Sequence, residues 1–193
     1  NEDHLRRNVF NRGTEEFYLN HLATACDDGT ARIWTTQVMN TTVTDHILLP
    51  NYASSVLALD FRDHWVAYGG KNCGLQVIDL QKYTTRKKGV LTKDVVPLGG
   101  IPFATGITHI VPGPQKGDLP SWVVGCVDGS IHLVAWDATT NLFAVQDTLH
   151  PSPHPLVSLL ADETGLWLLY SPHHTTDNDD LRPPVQLCQI SFQ

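Results

Sequence analysis

Two distant stretches of this chain share one layout. HLATACDDGTARIW (21–34) and WVVGCVDGSIHLVAW (122–136) each run as an apolar strand, a Cys, one residue, Asp-Gly, and a second strand ending near Trp. In this register Cys26 matches Cys126, and Asp28-Gly29 matches Asp128-Gly129. An Asp-Gly pair between two alternating runs predicts a two-residue hairpin, because such a turn needs positive φ angles that Gly adopts freely. A degenerate copy, WVAYGGKNCGLQVIDL (65–80), turns at Asn72, Cys73 and Gly74. A further copy pairs LWLLY (166–170) with VQLCQI (185–190) across a long loop. The steps from Trp34 to Ile78 and from Ile78 to Val134 suit one propeller blade plus loops, whose usual period is about 40 to 50 residues.

Strand signals also flank these hairpins. Runs with period-2 alternation or β-branched enrichment lie at 21–26, 30–34, 56–61, 65–69, 75–80, 90–96, 107–111, 122–127, 130–136, 142–149, 156–161, 166–170 and 185–192. No window sustains a 3.6-residue apolar stripe. Each hairpin has an apolar run before it (VLALDF, ITHIV, LVSLL) and room for an outer strand after it, as at Leu142–Leu149. The expected fold is therefore all-β, with four-stranded antiparallel blades stacked face to face around an axis. Residues 1–20 stay unassigned, and 21–193 read as three to four blades of a larger ring.

Composition agrees with that expectation. Only 17% of the 193 residues are charged, against about a quarter in an average domain, which argues against a coiled coil, a helical bundle or an acidic disordered tail. The net charge of −7 provides no overall basic field for nucleic acid. Cys26, Cys73, Cys126 and Cys188 lack any CxxC or metal spacing and read as free thiols of a reducing compartment, with disulfides as the alternative. No run of about 18 apolar residues could span a membrane. The expectation is a soluble intracellular protein, of cytoplasm or nucleus.

At this point LATACDDGTARIW resembles the hairpin of a WD40 repeat. The resemblance covers roughly residues 15–193 and is carried mainly by the first copy. In that family a Ser or Thr, a turn Asp and a Trp join a buried hydrogen-bond network, and the resemblance implies this role for Thr24, Asp28 and Trp34. In the 122–136 copy it implies the turn role for Asp128, and Trp136 falls two residues past the Trp position, on the same strand face. The family's Gly-His pair is absent from the sequence. The Asp and Arg that cullin-ligase WD proteins carry after the Trp are replaced by Thr35, Thr36 and Gln37. The stretch 54–80 is also similar in pattern to a blade of the WD-repeat subunit of the THO mRNA-export complex.

The remaining chemistry is sparse. Loop SPHHTTDNDD (171–180) offers His173, His174, Asp177, Asp179 and Asp180 as donors, but in no zinc or EF-hand spacing, so a solvated hairpin insertion is expected and no metal. His150 and His154 are separated by Pro residues that exclude a helix. GxSxG, GxxxxGK[ST] and HExxH are all missing, which leaves no enzyme, cofactor or small-molecule substrate expected. One cationic cluster stands out, with Lys82, Arg86, Lys87 and Lys88, and with Lys93 nearby. The expected function is a non-catalytic scaffold subunit that binds other protein subunits of a complex. The alternative is an RNA-associated subunit of an mRNA processing or export complex, using the basic run for phosphate.

Overall fold

The computed structural model describes residues 19–37, 43–49, 54–72, 74–79, 100–114, 119–152, 154–162, 164–171 and 186–191. These form fourteen strands and no helix. They are β1 (Leu19–Ala25), β2 (Ala31–Gln37), β3 (Val43–Leu48), β4 (Val56–Arg62), β5 (Trp65–Gly70), β6 (Gly74–Asp79) and β7 (Ile101–Pro102). The second half holds β8 (Ile107–Pro112), β9 (Trp122–Cys126), β10 (Ile131–Asp137), β11 (Leu142–Leu149), β12 (Leu156–Asp162), β13 (Gly165–Tyr170) and β14 (Gln186–Ser191).

The strands make four antiparallel sheets, each a meander in chain order: β1–β2–β3, β4–β5–β6–β7, β8–β9–β10–β11 and β12–β13–β14. The first and last sheets have three described strands, where four were expected. β3 and β7 were missed by the apolar pattern, and the expected strand at 90–96 lies outside the described residues.

The sheets share one register. In β4, β8 and β12 the pairing shifts at the second residue, Leu57, Thr108 and Val157 respectively. Three residues past each shift, Asp60 faces Ala67, Val111 faces Val123, and Leu160 faces Trp167. The next strand continues the series: Ala67 pairs with Val77, Val123 with Leu133 and Trp167 with Gln189, while Ala23 pairs with Ile33 in the first sheet. Thus β1, β5, β9 and β13 occupy one place, and β4, β8 and β12 lie side by side across the stack.

The hairpin turn differs from the expected two-residue form. Cys26 N–H donates to Thr30 at 2.9 Å and Cys126 N–H to Ser130 at 3.0 Å, which encloses three loop residues. Within these two loops only Gly29 and Gly129, both at φ 83°, adopt the left-handed region. Each Asp instead accepts from the backbone N–H two residues on, which holds it in an ordinary turn and leaves the left-handed step to Gly.

Both faces of the inner sheets are buried. Ala31, Ile33, Val56, Val66, Tyr68 and Ile78 fill the junction of the first and second sheets. Trp65, Ala67, Leu75, Val77, Trp122, Val124 and Phe143 fill the second junction, and Val123, Ile131, Leu159, Leu166, Leu168 and Tyr170 the third. Phe143 is the hub of the middle core: Trp65, Trp122 and Trp136 meet its ring edge-on, with centroids 5.2, 5.3 and 5.2 Å away. Among the described residues no helix is long and apolar enough to cross a membrane.

Candidate functional site

The residues singled out in the first hairpin divide into two groups. Trp34 Nε1 donates to Thr24 Oγ1 at 2.8 Å, across the cross-strand diagonal of β1 and β2. Asp28 does not join that bond. It accepts from Thr30 N–H at 2.9 Å and Thr30 Oγ1 at 2.6 Å, and Thr30 Oγ1 also accepts from Arg32 Nη1. Thr24 and Asp28 are exposed, so these bonds lie at the surface and not in the buried setting implied by the resemblance. Trp136 is partly buried and packs on Phe143.

The same turn in the third sheet carries a longer chain of polar atoms. Asp128 Oδ1 accepts from Ser130 N–H at 3.0 Å and from Ser130 Oγ at 2.6 Å. Ser130 Oγ lies 2.9 Å from His132 Nε2, and His132 Nδ1 lies 3.0 Å from Thr148 Oγ1. The residue types and order suggest nucleophile chemistry, but proton bookkeeping opposes it. Burial acts against charge on Asp128, yet the Ser130 hydroxyl and amide outweigh it and hold the carboxyl below its ordinary value. The carboxylate is therefore an acceptor only, and Ser130 spends its one proton on it. His132 Nε2 must then donate to Ser130 Oγ, leaving Nδ1 to accept from Thr148. A base that donates to its serine cannot activate it. Ser130 is moreover only 2% exposed. Burial also pushes the His132 imidazole below its ordinary range, which favours this neutral form.

A second polar group ties sheets together. Trp122 Nε1 donates to Asp60 Oδ2 at 2.9 Å, from β9 of the third sheet to β4 of the second. Arg62 Nε stands 3.8 Å from the same carboxylate oxygen, and Arg62 Nη1 donates to Ser121 O at 3.5 Å. Nothing in the local pattern announced this pair. Asp60 within the apolar run VLALDF was the available signal, because a carboxylate in a half-buried strand needs a partner.

The basic run Lys82, Arg86, Lys87, Lys88 and Lys93 and the whole of 173–180 lie outside the described residues, as do residues 115–118 between β8 and β9. Cys26 is exposed, Cys126 buried and Cys188 half-buried, with no disulfide among the described residues, and Cys73 lies outside them. His150 and His154 occupy the connection before β12. Among the described residues no three His, Cys, Asp or Glu side chains converge on a metal position. No family model matches the chain, and no curated protein matches its sequence.

Proposed function

We propose that the chain is a WD40-type propeller segment that serves as a non-catalytic docking platform for other subunits of a protein assembly. The observation that supports this most is the shared register of the four sheets, which fixes the connections at both ends of a stiff stack. Binding residues are commonly carried on loops held by such a scaffold. The non-catalytic reading is supported by Ser130, whose hydroxyl is buried and committed to Asp128.

Cross-linking of the intact chain in its native assembly, followed by mass spectrometry, tests the proposal. Links from a reproducible neighbour to residues 82–89, 112–121 or 173–180 are expected. Neutralising Arg86, Lys87 and Lys88 together should alter the subset at 82–89. Links confined to other surfaces would overturn the loop assignment. Filter binding of single-stranded RNA at two salt concentrations separates the other class, since phosphate contacts give a steep salt slope; the docking role expects weak, sequence-indifferent retention.

A further inference from the structure

We draw no further inference here: the strongest candidate, the apolar face of the fourth sheet shared by Leu160, Trp167, Leu169 and Leu187, carries nothing because nothing in the structure shows what covers it.

Discussion

Trp122 Nε1 and Asp60 Oδ2 meet at 2.9 Å across the boundary between the second and third sheets. The indole is fully buried, and the carboxylate is its hydrogen-bond acceptor inside an otherwise apolar junction. Asp60→Ala leaves a buried donor unsatisfied and removes the charge beside Arg62, at an expected cost of about 1–3 kcal/mol. Urea denaturation followed by intrinsic fluorescence checks this. An unchanged midpoint would show that the bond contributes nothing net.

Trp65 supplies the contrast. Its ring packs on the same Phe143, but its Nε1 is buried with no hydrogen-bond partner among the described residues. Removing an unsatisfied donor recovers part of its desolvation cost. Trp65→Phe should therefore destabilise less than Trp122→Phe, though each deletes the same atoms. Paired urea titrations of the two variants decide it, and the reverse order would refute the comparison.

Gly129 admits no side chain. Its φ is +83°, and a Cβ there would lie 2.3 Å from the carbonyl oxygen of His154. Gly129→Ala combines left-handed strain with a backbone clash, for an expected loss of about 2 kcal/mol or more. A thermal melt with an unaltered midpoint would contradict it.

Acid should unfold the protein in two stages. Burial depresses His109 and His132 below the ordinary value of 6.5. The unfolded chain then takes up protons first, so the stability from these groups is full above pH 6.5 and declines as pH falls below it. The second stage involves Asp28, Asp137 and Asp162, where hydroxyl or amide donors of Thr30, Thr139 and Thr164 hold each carboxyl below 3.8, and Asp128, held there by Ser130 against its burial. Their contribution is present above that value and lost as pH falls through the lowered folded values. Urea midpoints between pH 7 and pH 3 should show both declines, and His132→Gln should shrink only the first. A flat profile from pH 7 to 5 would sink the histidine part.

Asp28→Ala removes the acceptor for both Thr30 donors at an exposed turn. It should lower the melting midpoint modestly, less than Gly129→Ala does. An unaltered midpoint would show that water replaces the carboxylate without cost.

Hairpins were the most legible part of the sequence, because period-2 alternation and turn residues act locally. The Asp-Gly signal located both matched turns, though their length depended on the Asp carboxylate capturing the amide two residues later. β3 was not legible: Thr44, Asp45 and His46 interrupt the alternation, and its strand form follows from backbone pairing with β2. β7 is two residues long and contains Pro102, so only its pairing with β6 defines it.

By itself the sequence determined an all-β chain, the places of its hairpins and which residues alternate between two faces. Those properties depend on neighbours a few positions away. The tertiary structure alone decided which faces meet, and hence that Asp60 finds Trp122 while Leu160, at the corresponding place, stays largely exposed. It also decided that Ser130 is locked between Asp128 and His132 instead of open to a substrate. An alternating pattern states that a side chain has a face, but the atoms opposite that face come from a sheet dozens of residues away, and only packing brings them together.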